Sequence, residues 1–220
     1  MVGIRLISFD FEGTLVDFQW KLSEAVGEAL HTLGKAGAPA NAMAGMNYSA
    51  IYNLVRQKEH EWGFPGDYLT GLLDEVYDKY DLDAASRWKP VHDIHSMLDN
   101  LGGYKLALVS NVGKKALYEV LLKFGLRNRF GLIVSRNDVK MLKPCVEGLQ
   151  KAMEWAGTDG ENTIHIGDSL SDILAARSAG AKACAVLGGE DAPEALLREK
   201  PDLLLKALSD LPGRLKSSGF

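Results

Sequence analysis

IRLISFDFEGTLV, residues 4–16, is the stretch that decides the fold. A short run of apolar and β-branched side chains ends in two carboxylates, Asp10 and Glu12, and then in a Gly13–Thr14 turn. A run that is apolar at nearly every position suits a strand covered on both faces, as in a parallel sheet. Carboxylates at the end of such a buried strand are unfavourable unless a cation meets them. The rest of the chain is therefore read for what converges on Asp10.

The 220 residues suffice for one sizeable core with a smaller unit attached. Charged residues make up 25% and hydrophobic residues 46%, ordinary for a globular protein. A net charge of -4 argues against a nucleic-acid partner gripped by a basic surface. The two cysteines, Cys145 and Cys184, have no zinc-like spacing and suit a reducing, cytoplasmic setting. No run of 18 apolar residues occurs, so no membrane partner is expected. The first ten residues contain Arg5 and Asp10 and read as a strand, not a signal peptide.

Residues 17–88 differ in character from the rest. They are dense in aromatics, including Phe18, Trp20, Tyr48, Tyr77 and Trp88, and show helical spacing over 22–33, 50–62 and 68–80. No strand pattern interrupts them, which predicts a small all-helical unit whose aromatics are mostly its own core. From residue 91 the pattern alternates: helix 91–101, strand 104–110, helix 114–124, strand 130–135, helix 144–156, strand 162–166, helix 171–178 and strand 181–187. A short sixth strand is expected at 202–204, and the polar tail 206–220 is expected to be peripheral. This predicts an α/β fold, a Rossmann-like parallel sheet flanked by helices, formed by 1–16 and 89–220 with 17–88 inserted after the first strand. Hinges are expected near 16–18 and 88–90. Ligands of such sheets bind at the carboxyl ends of the strands. Here those ends carry Asp10 and Glu12, Ser110 and Asn111, and Asp168.

In order, the chain presents DFEGTLV, SN at 110–111, KP at 143–144 and GDSLSD at 167–172. This set resembles the haloacid dehalogenase-like superfamily, most of whose members are phosphatases, across nearly the whole chain. The helical insertion resembles the cap of its largest subgroup, which includes phosphoglycolate phosphatases and β-phosphoglucomutases. The resemblance implies a Mg²⁺-dependent phosphatase acting on a small phosphorylated metabolite, as a monomer or homodimer. Asp10 would be the nucleophile that forms an aspartyl-phosphate. Asp10, Asp168, the backbone carbonyl of Glu12 and, through water or by orienting a ligand, Asp172 would serve the metal. Ser110, Asn111 and Lys143 would bind the phosphoryl group. Glu12 would be the general acid and base.

One departure is the glutamate itself, because the common residue at position 12 is aspartate. The extra methylene displaces the carboxyl by about 1 Å, and misplacement on that scale costs roughly a hundredfold in rate unless the backbone compensates. Two other readings stay open: a phosphomutase on the same scaffold, and a non-catalytic binding protein that retains the fold. Thr14 reads as structural and His165 as a core histidine. Arg56, Lys58, His60, Arg87 and Lys89 read as surface charges that could bind a second anionic group.

Overall fold

The computed structural model describes residues 3–217. The outermost residues of the expected core (1–16, 89–220) and tail (206–220), namely 1, 2 and 218–220, lie outside the described residues.

Strand β1 (Leu6–Phe9) is buried at every position, which is why it needs no polar alternation. It pairs in parallel with β2 (Lys105–Val109) on one side and β4 (Thr163–Gly167) on the other. Strands β3 (Leu132–Val134), β5 (Lys182–Val186) and β6 (Leu203–Leu205) complete the order β3-β2-β1-β4-β5-β6. The chain builds outward from β1 to β3 and then returns to the opposite side of β1. The crevice at the carboxyl ends of β1 and β4 is therefore the topological switch point of the sheet, where ligands of such folds bind.

Side chains alternate between the two faces of the sheet. Leu6, Ala107, Val109, Ala183 and Ala185 pack on one side against α6 (Glu147–Ala156), α7 (Leu170–Ser178) and α8 (Pro193–Arg198). Ile7, Leu108, Ile164, Ile166 and Cys184 join the other side, which carries α4 (Ile94–Asp99), α5 (Lys114–Lys123) and α9 (Leu211–Ser217). Period-two burial on both faces is what a doubly covered sheet demands.

Residues 17–88, between β1 and α4, hold three α-helices, α1 (Leu22–Lys35), α2 (Tyr48–Lys58) and α3 (Tyr68–Ala85). Helix α2 starts two residues before its expected first position because the Asn47 side chain caps it, accepting from the Ala50 N–H at 2.9 Å. Helix α3 runs five residues past its expected end, and Asp81, Ala84 and Ala85 continue its buried face. The two connections to the core run side by side. Asp17 N–H donates to the Lys89 carbonyl, and Val91 N–H to the Leu15 carbonyl, both at 3.0 Å.

The expectation of a peripheral tail is overturned. Leu208, in the 3₁₀ segment Leu208–Asp210, and Leu211 and Leu215, on α9, are buried in the main hydrophobic cluster; Pro212 does not disrupt α9 because it lies in the first turn. Helix α8, which no strong period marks, was also not anticipated.

Candidate active site

Asp10 immediately follows β1, and its N–H donates to the Ile166 carbonyl of β4 at 2.8 Å, so the ladder carries it to the switch point. The chain then turns: Leu15 N–H donates to the Phe11 carbonyl at 2.8 Å. Gly13 has φ of +78°, and a Cβ there would overlap the Asp168 carboxylate. Glycine is required here for both conformation and space. The turn brings Thr14 Oγ1 within 2.8 Å of Asp168 Oδ1, to which it donates. Asp168 follows β4, and its other oxygen accepts from the Glu190 N–H at 2.6 Å. Thr14 thus bonds to Asp168.

Lys143 is 4% exposed, and its ammonium donates to Asp10 Oδ1 at 2.6 Å and to Asp172 Oδ1 at 2.5 Å. Two asparagines hold the loop that presents it. Asn111 accepts from Lys143 N–H at 3.0 Å and donates to its carbonyl at 3.3 Å. Asn53, on α2, accepts from Leu142 N–H at 2.7 Å and donates to its carbonyl at 2.9 Å. Each amide side chain mimics a strand partner for the loop backbone. Asn111, expected to bind substrate, is thereby engaged with the lysine loop, and also donates to the Tyr48 hydroxyl at 3.2 Å.

Asp172 is at the third position of α7. Its Oδ2 accepts from Ser169 N–H (3.1 Å) and hydroxyl (2.6 Å), forming a capping box. Its Oδ1 accepts from Lys143 and meets His165 Nε2 at 3.0 Å. His165 Nδ1 meets Ser8 Oγ at 3.1 Å. Both oxygens of Asp172 are therefore occupied by protein groups. Ser110 Oγ accepts from Val112 N–H at 3.2 Å, which leaves its hydroxyl proton available to a ligand.

Glu12 is 8% exposed. Its Oε1 accepts two hydrogen bonds, from the Trp88 indole N–H and from the Gln19 N–H, both at 2.7 Å. Trp88 also packs edge-on against Phe11, centroid to centroid 5.1 Å. The two donors sit on the two connections to the helical insertion. The extra methylene of glutamate lets its carboxyl reach them.

The electrostatics follow from burial. Desolvation raises the Asp10 pKa, with Lys143 pulling against it. Asp168 is pushed well above the carboxylate range by burial and by the charges of Asp10 and Asp172. Burial alone would raise Asp172, but Lys143 and His165 hold it below the usual range. Burial would lower Lys143, and the carboxylates of Asp10 and Asp172 override it, keeping the ammonium charged. Glu12 is pushed up to about 7 by burial, with Trp88 opposing.

Oxygens of Asp10, Asp168 and Asp172 lie within 4.8 Å of one another. One lysine serves two of them, and among the described residues no cation pairs with Asp168. A buried carboxylate set with a charge deficit and only hard oxygen donors fits Mg²⁺. The cavity beside these groups is partly open to solvent, and its wall includes Phe18, Trp20 and Tyr48 from the insertion, Arg136 and Glu190. Arg56, Lys58, His60, Arg87 and Lys89 do not line it. Arg56, Lys58 and Arg87 are paired with Asp67, Glu61 and Asp83. The sequence reading assigned no role in the site to Asn53, Arg136 or Glu190, and took the aromatics of the insertion, Tyr48 and Trp88 among them, as mostly core with one or two left to line the cleft. A tryptophan at the insertion boundary opposite a one-methylene-longer acid was the available clue for Trp88. A lone arginine in a loop offers none.

Fold and site together define a Rossmann-like hydrolase with a carboxylate–lysine centre at its switch point. The chain belongs to the haloacid dehalogenase-like hydrolase family, whose sequence profile matches residues 7–186. It is 27% identical over 216 residues to a phosphoglycolate phosphatase of Photorhabdus laumondii, covering 95% of this chain and 91% of that one. A pyrophosphatase PpaX of Halalkalibacterium halodurans is 40% identical over 110 residues, 46% of this chain and about half (51%) of that relative. The structure of a predicted phosphatase from Clostridium acetobutylicum has the same fold, with a TM-score of 0.70 at 18% identity over 98% of this chain and 99% of that one. No helix among the described residues is long and apolar enough to cross a membrane.

Proposed function

We propose that the chain is a Mg²⁺-dependent phosphatase that hydrolyses a small phosphate monoester through an aspartyl-phosphate on Asp10. The observation that carries this reading is the placement of Asp10, a carboxylate at the switch point with one oxygen 2.6 Å from the Lys143 ammonium. The phosphatase names of the relatives support it.

Asp10 attacks phosphorus, while Lys143 and the Ser110 hydroxyl meet the phosphoryl oxygens, where charge is spread in the transition state. Asp172, itself held by His165, holds the lysine in place, and Thr14 and the Glu190 N–H hold Asp168. Asp10, Asp168 and the Glu12 carbonyl would hold Mg²⁺, which supplies the positive charge that lets a carboxylate approach a dianionic ester. Glu12 gives a proton to the leaving oxygen and later takes one from water. A carboxyl with its pKa raised by burial to about 7 is partly protonated near neutral pH, as a general acid needs. Trp88 and Gln19 fix one of its oxygens and leave the other for the substrate. The helical insertion acts as a cap that excludes water during transfer.

The test is a panel of phosphate monoesters assayed with and without Mg²⁺. Metal-dependent phosphate release is expected from at least one ester, with Asp10→Asn abolishing it while the melting transition and circular dichroism persist. More than a few per cent of activity left in Asp10→Asn would remove Asp10 from the nucleophile's role.

A further inference from the structure

Arg136 opens the short 3₁₀ segment Arg136–Asp138 after β3 and is 2% exposed. It lines the active-site cavity, yet its guanidinium is turned to α3. Its Nε donates to Asp74 Oδ1 at 3.0 Å, its Nη1 to Asp81 Oδ2 at 2.7 Å, and its Nη2 to Asp78 Oδ1. These aspartates are spaced i, i+4, i+7, which places them on one face of the helix. Asp81 also accepts from the Gly113 N–H at 2.8 Å. One buried cation is thus surrounded by three anions.

The other cation in the cavity wall, Lys143, is engaged by Asp10 and Asp172. Among the described residues the wall has no third cation; its Asp81 is already paired with Arg136, and burial pushes the pKa of its Glu190 up to about 8. A second anionic group on the substrate would be desolvated there with no unpaired side-chain cation to receive it, which is unfavourable in a poorly solvated site. A different feature points to what fits instead. Trp20, in the same wall and 8% exposed, has a buried indole N–H with no hydrogen-bond partner among the described residues. Buried donors are rarely left so, and a hydroxyl or carbonyl oxygen would satisfy this one.

We infer that the site takes phosphate monoesters of uncharged, oxygen-bearing alcohols and discriminates against leaving groups that carry a carboxylate or a second phosphate. This deepens, and rests on, the phosphatase reading above. It also separates this chain from relatives named for phosphoglycolate and pyrophosphate. Arg136 acts here by being neutralised: the α3 aspartates remove from the cavity the cation that an anionic leaving group would use.

The experiment compares 2-hydroxyethyl phosphate with 2-phosphoglycolate, which are close in size and differ by one charge, together with pyrophosphate and p-nitrophenyl phosphate. With the full chain and Mg²⁺, kcat/KM for 2-hydroxyethyl phosphate should exceed that for 2-phosphoglycolate by about tenfold or more. Equal or reversed values would overturn the inference. Failure of all four compounds would instead overturn the phosphatase reading and this inference with it. Asp78→Asn, on the more exposed side of the cluster, should loosen the hold on Arg136. It should narrow the ratio about threefold or more by raising turnover of 2-phosphoglycolate. An unchanged ratio in a folded Asp78→Asn protein would detach the selectivity from Arg136. Trp20→Phe should lower kcat/KM for 2-hydroxyethyl phosphate more than for p-nitrophenyl phosphate. Equal losses would remove the indole from the recognition of oxygen.

Discussion

Replacing Trp88 by phenylalanine removes one N–H and leaves an aromatic ring to pack against Phe11. In the native protein that N–H donates to Glu12 Oε1 at 2.7 Å, inside a wall where Glu12 is 8% exposed. A hydrogen bond to a charged group contributes about 1.5–3 kcal/mol, which corresponds to roughly 10- to 100-fold in rate if it serves to place the acid. The independent cost of displacing a catalytic group by about 1 Å is about a hundredfold. Both figures point to the same range. The Gln19 N–H, also at 2.7 Å, is retained and keeps the loss from being larger. The assay is kcat/KM, which covers steps up to release of the leaving group. Trp88→Phe should lose about 10- to 100-fold on an alkyl phosphate, whose alkoxide needs a proton. It should lose little on p-nitrophenyl phosphate, whose phenolate leaves without one. Substituting Glu12→Asp in addition shortens the acid so that it no longer reaches the indole, and Trp88→Phe should then have almost no further effect. Equal losses on the two esters, or full additivity with Glu12→Asp, would show that Trp88 supports the fold and does not position the acid.

Other expectations concern the metal, the buried arginine and Glu12. Mg²⁺ should raise the melting temperature of the native protein but not that of Asp168→Asn, because binding to the folded state stabilises by mass action. A metal shift that persists in Asp168→Asn would remove that residue from the site. Arg136→Leu leaves three carboxylates without their cation and should destabilise the protein by about 3–5 kcal/mol in urea titrations; a loss below about 1 kcal/mol would contradict the coupling of α3 to the core. For Glu12 the folded pKa, about 7, lies above the unfolded value near 4.5. Its unfavourable contribution is therefore absent below about pH 4.5 and complete above about pH 7. In metal-free protein, Glu12→Gln should gain stability relative to the native chain between pH 5 and pH 8, by up to about 3 kcal/mol. A constant difference across that window would refute the raised pKa.

The strand–helix alternation after residue 91 was legible because apolar runs, glycine stops and helical spacing are local properties. Boundaries were less so. The Asn47 cap shifts α2, and the buried continuation of α3 through Ala85 depends on what lies against it. The tail misled because Leu208, Leu211 and Leu215 sit among polar residues and reveal their apolar face only when a core is there to receive it. Among the site residues, Asp10, Ser110, Lys143 and Asp168 stand at strand or helix edges, where position along the chain already implies a shared rim. Asn53, Trp88 and Arg136 lie far along the chain from their partners, so no spacing rule pairs them.

Sequence by itself determined that a buried strand ends in two carboxylates, that the sheet is parallel, and that a lysine and further acids reach the same rim. These follow from burial and from the connectivity of βαβ units, which do not depend on side-chain detail. Only the tertiary structure decided what each charge faces. It set Glu12 against Trp88 and Gln19, Asp172 against Lys143 and His165, and Arg136 against three aspartates of α3. Pairing of charges depends on distances of a few ångströms between segments far apart in the chain, and packing alone sets those distances.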